Sequence, residues 1–358
     1  VSLYLDANAS EPLRPEARAA MLAALDLPGN PSSVHAAGRA ARRILERARE
    51  ALAARFGGTP AETVLTAGGT EANALAIRAL GLGRRVLRGA TEHPAVVAAC
   101  PDAGVLPVLR DGTLDLAALA AAVAEGGPAL VCVMAANNET GVLHPLQPIA
   151  ELCRRHGALL HVDGVQAAGR VAIPPVWDSL AISGHKLGGP KGAGALLLRP
   201  GRAPMPLIAG GGQERGWRGG TEPLPAIAGM AAAAEAASPD AAARLAVLRD
   251  AIEAGAVGAI VAGGAAPRLP NTSALVLPGV AAETQVIALD LAGMQVSAGA
   301  ACSSGRVASS PVLAAMGFAG SAACGIRVSL PWDAPGDAAP RFLAAWTAMR
   351  DRLSRPAA

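Results

Sequence analysis

Four apolar runs decide the fold: Ala129-Leu-Val-Cys-Val-Met134, Ala158-Leu-Leu-His-Val162, Ser179-Leu-Ala-Ile-Ser183 and Gly194-Ala-Leu-Leu-Leu-Arg199. Each is short, rich in aliphatic residues and bounded by Gly, Pro or polar residues, as a strand buried on both faces should be. A helical pattern, Pro145 to His156, separates the first two. Working outward, Thr63 to Thr66, Arg85 to Arg88 and Val105 to Val108 read as further strands, alternating with helices Thr70 to Leu80, Pro94 to Ala99 and Asp115 to Glu125. This alternation predicts an α/β fold with a mostly parallel sheet covered by helices. In such sheets ligands sit beyond the carboxyl ends of the strands.

The flanks read differently. Asn30-Pro-Ser-Ser leads into a helix from His35 to Phe56, stopped by Gly57-Gly58. Leu224 to Ala254 is Ala-rich and reads as two helices parted by Ser238-Pro239. From Leu269 onward, strands (Ser273 to Leu277, Gln295 to Ser297, Ile326 to Ser329) mix with helices, as in a smaller α+β domain. At roughly 150 residues per domain, 358 residues suit two domains.

Composition narrows the function. The chain is 52% hydrophobic and 16% charged, which suits a packed interior rather than a disordered segment. A net charge of +3 and only eight aromatic residues (Trp 4, Tyr 1, Phe 3) argue against a nucleic-acid binder. No apolar run reaches the roughly 18 residues a membrane span needs. Val1 to Pro12 shows no secretory signal. Five cysteines without a C-x-x-C pair fit a reduced, cytoplasmic setting.

Of 31 basic side chains, only Lys186 and Lys191 are lysines. An Arg bias has a bland compositional cause, but a lysine kept in a Gly-rich segment points to a site where an amine must lose its proton, which Arg cannot do. A Schiff-base lysine is the leading chemical reason. Lys186 stands in Ser183-Gly-His185-Lys186, where Ser183 and His185 add donors suited to a phosphate. Upstream, Thr66-Ala-Gly-Gly-Thr-Glu-Ala-Asn73 joins a strand to a helix and can cradle an anion, or be no more than a turn. His161-Val-Asp163-Gly-Val-Gln166 closes another strand, and Asp163 there reads as a pyridinium partner, a metal ligand or a helix cap. An acid and a lysine brought to one sheet edge are what pyridoxal phosphate requires. A metal site of His161 and Asp163 lacks a third ligand.

Taken as a set, these motifs resemble the cysteine desulfurases of the class V aminotransferase group. The resemblance runs through Tyr4-Leu-Asp-Ala-Asn-Ala9, Asn30-Pro-Ser-Ser-Val-His35, Gly69-Thr70, Glu92-His93 and Asn137-Asn-Glu-Thr-Gly141 to the Asp163 and Lys186 motifs. It continues with Gly210-Gly-Gly-Gln-Glu-Arg215, Arg218-Gly-Gly-Thr221, Ala300-Ala-Cys302-Ser-Ser-Gly305 and Ile326-Arg327-Val-Ser329.

The resemblance implies pyridoxal 5'-phosphate bound covalently at Lys186, which also moves the substrate α-proton. It further implies that Asp163 holds the ring N–H, Gln166 and Asn138 lie at the ring hydroxyl, and His93 stacks on the ring and relays protons as a catalytic residue. Gly69, Thr70, Ser183 and His185 would hold the phosphate, with Thr221 reaching it from the second subunit of a homodimer. Arg327 and Asn138 would take the substrate carboxylate, and Cys302 would carry sulfur as a persulfide to an acceptor protein, with alanine released. The implied division is a large cofactor domain, 12–254, and a small domain, 1–11 with 255–358. Arg306 stands near Cys302 and would favour its thiolate. The other cysteines, Cys100, Cys132, Cys153 and Cys324, read as buried small hydrophobes. The alternatives are selenocysteine lysis on the same fold, or a non-catalytic sulfur-relay protein, against which Lys186, Asp163 and Cys302 argue. Three departures stand out: Ala298-Gly-Ala-Ala-Cys302 lacks the usual Ser lead-in, Pro331-Trp332 replaces Gly-Arg, and the tail past Arg355 is short.

Overall fold

A computed structural model describes residues 2–299 and 309–353. Seven strands form one sheet, in the spatial order Thr63–Thr66, Gly194–Leu198, Ser179–Ser183, Leu159–Asp163, Ala129–Met134, Arg85–Gly89, Gly104–Leu106. Only Gly194–Leu198 runs against the rest. The α/β expectation is therefore met.

Both faces are covered, and the apolar runs show why no polar alternation was present. Val131 and Val133 pack on one face with helices Ala36–Phe56, Leu116–Ala124, Leu146–Arg155 and Leu224–Ala236. Leu130 and Cys132, at the intervening positions, pack on the other face with helices Gly69–Gly81 and Pro94–Ala99. Successive strand residues point oppositely, so a strand buried twice must be apolar throughout. His161 and Asp163, two residues apart, share the second face with Leu159. That geometry turns both toward helix Gly69–Gly81. The long helix Ala36–Phe56 begins at His35, whose Nδ1 accepts from Gly38 N–H, and ends at Gly57 in the left-handed region (φ 75°).

A second core surrounds a four-stranded antiparallel sheet, ordered Ser297–Ala298, Gly325–Ser329, Thr272–Val276, Ile260–Val261. Helices Pro239–Gly255, Ala282–Leu291 and Ala338–Leu353 pack there around Phe342 and Trp346. Leu3–Tyr4 pairs in parallel with Met294–Gln295.

Two expected strands differ. Gln295 to Ser297 is two short strands in different sheets, parted by the buried Val296. Val105 to Val108 is replaced by Gly104–Leu106, because Pro107 has no N–H for the ladder and Val108 instead bridges Leu114. Among the described residues, no helix is long and apolar enough to cross a membrane. Cys100, Cys132 and Cys153 are buried as expected, whereas Cys324 is only half-buried, in a single 3-10 turn between Ser321 and Gly325.

Candidate active site

The polar motifs gather at the carboxyl edge of the large sheet. Asp163 ends its strand with its carboxylate satisfied on both oxygens. Oδ1 accepts from Val165 N–H at 3.0 Å and Oδ2 from Asn73 Nδ2 at 2.8 Å. Burial raises its pKa, and these two donors together with His93 and Lys186 pull it back. Asn73 Oδ1 lies 2.9 Å from His161 Nε2, and His161 Nδ1 lies 2.8 Å from Ser179 Oγ. Both ring nitrogens of His161 are engaged. Burial drops its pKa to about 3, so the ring is neutral.

Lys186 follows strand Ser179–Ser183 in a single 3-10 turn. Its Nζ donates to the backbone carbonyls of Asn8 and of Ala9, the latter at 3.0 Å. His93 caps helix Pro94–Ala99, and its Nδ1 accepts Ala95 N–H at 3.1 Å. The proton of the neutral ring is therefore on Nε2. Burial lowers the His93 pKa, with Asp163 raising it and Lys186 lowering it, which brings all three groups within electrostatic reach.

The turn before helix Gly69–Gly81 lies against the same edge. A Cβ at Gly69 would come within 2.5 Å of Val165 Cγ2, so only glycine allows this approach. Ser183 is buried beside it, and the Thr70 hydroxyl is on the exposed side. His185 Nδ1 is buried without a partner, and burial followed by Lys186 lowers this ring to about 4. An orphaned ring nitrogen, a helix N-terminus, two hydroxyls and a paired carboxylate fit a flat cationic ring bearing a phosphate. Pyridoxal phosphate fits this donor set.

A strap of residues 5–14 crosses the site. Ala7 N–H and Asn8 N–H donate to Ser329, and Asn8 Nδ2 donates to Asn138 O at 3.1 Å. Gln166 Nε2 donates to Asn8 O, while its Oε1 accepts from Arg170. Arg170 pairs with buried Glu11 at 2.8 Å. Glu11 in turn accepts Trp332 N–H, and the Trp332 indole N–H donates to Pro12 O at 2.9 Å. The Arg14 guanidinium sits 4.7 Å over that indole. Pro331-Trp332 is therefore a clasp on the strap. Arg327 Nη2 pairs with Asp6 at 2.7 Å, Nη1 donates to Asn138 O, and Nε is buried without a partner.

The loop 210–221 is tied down at two points. Glu214 and Arg215 both adopt positive φ (46° and 59°), a strained pairing for residues with a Cβ. A buried two-pronged pair from Arg49 to Glu214, at 2.7 and 2.8 Å, holds it, with Leu65 N–H also on that carboxylate. Arg218 pairs with Glu71, next to Thr70, at 2.9 Å. Thr221 is exposed, and no hydrogen bond among the described residues ties it to the rest of the site.

Lys186, Asp163, His93, Gln166, Asn138, Ser183, His185, Gly69 and Arg327 thus lie in one connected region, while Cys302 falls outside the described residues. Sequence reading missed Glu11 and Arg170, and quoted Asp6, Asn8 and Glu139 only within motifs, without roles. Buried Glu139 accepts from Ser310 Oγ at 2.6 Å. It also quoted Asn73 and His161 without linking them. Their signal was available: two polar residues on faces that the strand and helix periods bury.

Comparison with known proteins agrees with this geometry. The aminotransferase class-V family profile matches residues 3–335. A cysteine desulfurase of Cereibacter sphaeroides is 45% identical over 350 residues, covering 92% of this chain and 90% of its own length. The solved NifS-like protein of Rickettsia africae superimposes with a TM-score of 0.89 at 30% identity, over 98% of this chain and 100% of that one. A structure described as SspA in complex with cysteine gives 0.81 at 28% identity, over 92% and 99%. On profile, sequence and fold alike, the chain belongs to the class-V aminotransferase family.

Proposed function

We propose that the protein is a pyridoxal-phosphate-dependent cysteine desulfurase. The observation that carries the reading is Asp163, buried yet given two N–H donors, with Lys186 and His93 in electrostatic reach. Such an acid can keep a ring nitrogen protonated. The identity to a cysteine desulfurase and the fold shared with a protein solved with cysteine support the substrate. When bound, pyridoxal phosphate supplies an aldehyde and an electron-withdrawing ring.

The chain's own residues do the rest. Lys186 Nζ would hold the aldehyde and, once freed, would take and return the substrate α-proton. The Asn8 and Ala9 carbonyls keep that amine at the site edge. Gly69, Thr70, Ser183 and neutral His185 take the phosphate, and Thr221 serves the partner subunit's site in a homodimer. His93 would face the ring, and Gln166 and Asn138 would serve its hydroxyl. Arg327 binds the substrate carboxylate, exchanging its contact with Asp6 or using its remaining N–H groups. The Cys302 thiolate attacks the substrate sulfur, so cysteine plus enzyme thiol give alanine plus enzyme persulfide, for transfer to an acceptor protein such as an iron–sulfur scaffold. We place the protein in the cytoplasm, with residues 12–254 as cofactor domain and 1–11 with 255–358 as small domain.

The test is incubation with L-cysteine, with and without reductant, measuring alanine and sulfide. Equal alanine and sulfide under reductant are expected, with added sulfur on the Cys302 peptide by mass spectrometry. Cys302→Ser should keep the bound cofactor yet release almost no alanine. Unchanged turnover in that variant, or sulfur found only on Cys100, Cys132, Cys153 or Cys324, overturns the assignment.

A further inference from the structure

We infer that Ser179, His161 and Asn73 form a one-directional relay of positioning residues that fixes the Asp163 carboxylate for its ring-nitrogen partner; this rests on the reading of Asp163 above. The polarity follows from valence. An ionised Asp163 only accepts, so Asn73 must turn its NH2 group to Oδ2. Its carbonyl then faces His161 Nε2, which must donate. Nδ1 is left as an acceptor, so the Ser179 hydroxyl must donate to it. With Asp163 ionised and His161 neutral, this is the assignment that pairs every group, and all four residues are buried.

His161 is what makes the relay selective. The carboxylate already favours the amide NH2 over its oxygen, and a fixed donor on the far side adds to that preference by engaging the amide carbonyl. His161 supplies that donor because its strand register places it against Ser179, two residues before Asp163 on the same face. A protonated ring would lose the acceptor end of the relay; burial keeps it neutral. The other titratable groups facing Asp163 are His93, Lys186 and the buried Glu92. None of them touches Asn73 or His161 through a hydrogen bond.

The test pairs a direct and an indirect readout on the full chain. Nitrogen NMR of the imidazoles, cofactor removed, should show His161 as the neutral Nε2–H form, without titration between about pH 5 and pH 8. An Nδ1–H ring, or titration in that window, overturns the relay. Binding of pyridoxal phosphate is then compared across variants confirmed as folded by circular dichroism. His161→Leu and Asn73→Leu should weaken it about ten-fold or more. His161→Gln, which restores an N–H toward Asn73, should stay within about three-fold of the wild type. Should His161→Leu not fold, Ser179→Ala replaces it. Its removed hydroxyl should free the ring to exchange tautomers, and a spectrum identical to wild type overturns the relay. Asp163→Asn separates the two readings. Loss of affinity there with none in the Leu variants overturns the relay alone. Undiminished affinity in Asp163→Asn overturns the cofactor reading beneath it.

Discussion

The two halves of the site are built in opposite ways. On the large-sheet side, side chains hold side chains: Ser179, His161, Asn73 and Asp163 come from two neighbouring strands and one helix, fixed by strand register. On the strap side, backbone carbonyls do most of the holding. Asn8 O takes Lys186 and Gln166, Ala9 O takes Lys186, and Asn138 O takes Arg327. A side-chain relay is broken by one substitution at any link. A carbonyl survives substitution of its own residue and is lost only when the strap moves. The first half should therefore respond to point changes at the site, and the second to changes at the clasp that pins it.

The largest effect tests the junction of the halves. Lys186→Ala should abolish turnover and leave no cofactor attached to the chain after borohydride; a covalent adduct elsewhere breaks the comparison at its centre. Next, Arg327→Lys keeps the charge but loses the planar fork. We expect KM for cysteine to rise about a hundred-fold with a smaller change in kcat, checked by steady-state kinetics. Trp332→Ala sharpens the contrast, since Trp332 touches the strap and not the reacting groups. Loss of its indole hydrogen bond and of the Arg14 stacking should lower unfolding free energy by about 2–4 kcal/mol and reduce turnover as Lys186 loses its carbonyl acceptors. A stability loss with full turnover would show that the strap does not position Lys186.

The smallest effect concerns Glu92. Its Oε1 accepts Met134 N–H at 2.9 Å, Oε2 is buried without a partner, and burial raises its pKa well above the usual carboxylate range. The folded protein thus binds a proton at Glu92 where the unfolded chain has released it. That stability is complete below the ordinary carboxylate pKa and is lost as pH rises toward the raised value. The histidines whose pKa burial lowers work in the opposite sense, so the readout is the difference. Relative to wild type, Glu92→Gln should gain about 1 kcal/mol of stability between mildly acidic and mildly alkaline pH, measured from melting curves. An unchanged slope would place the titration elsewhere, Glu11 and Glu139 being the other raised glutamates.

This division also explains what could be read in the sequence. The sheet was legible because burial on two faces writes an unbroken aliphatic run, and the Lys186 and Asp163 motifs stood at the ends of such runs. Gln295 to Ser297 misled, since three residues carry no period and pairing partners in two sheets decide their fate. The strap was legible only as a motif, Tyr4 to Ala9. Backbone acceptors leave no side-chain signature, and the Glu11–Arg170 pair joins residues 159 positions apart. The Pro331-Trp332 departure gained its meaning only once Pro12 and Arg14 were seen beside it.

The strap also sets an order in time. Leu5 and Ala7 exchange backbone hydrogen bonds with Ser329, and Asp6 holds Arg327 across a separation of 321 residues. During synthesis, residues 5–11 leave the ribosome long before residues 327–332. By then the large sheet, which ends at Leu198, has all its strands and can close around Asp163. Lys186 is present in that nascent sheet with Gln166 and Arg170, but the segment that carries its restraining carbonyls still lacks the partners supplied by residues 327–332. The strap settles late because a contact this distant in sequence closes a long loop, and non-local pairings form slowly. Full restraint of the lysine is thereby coupled to completion of the chain, so a ribosome-bound intermediate truncated before Gly325 should carry a formed sheet and a Lys186 held less tightly than in the finished protein.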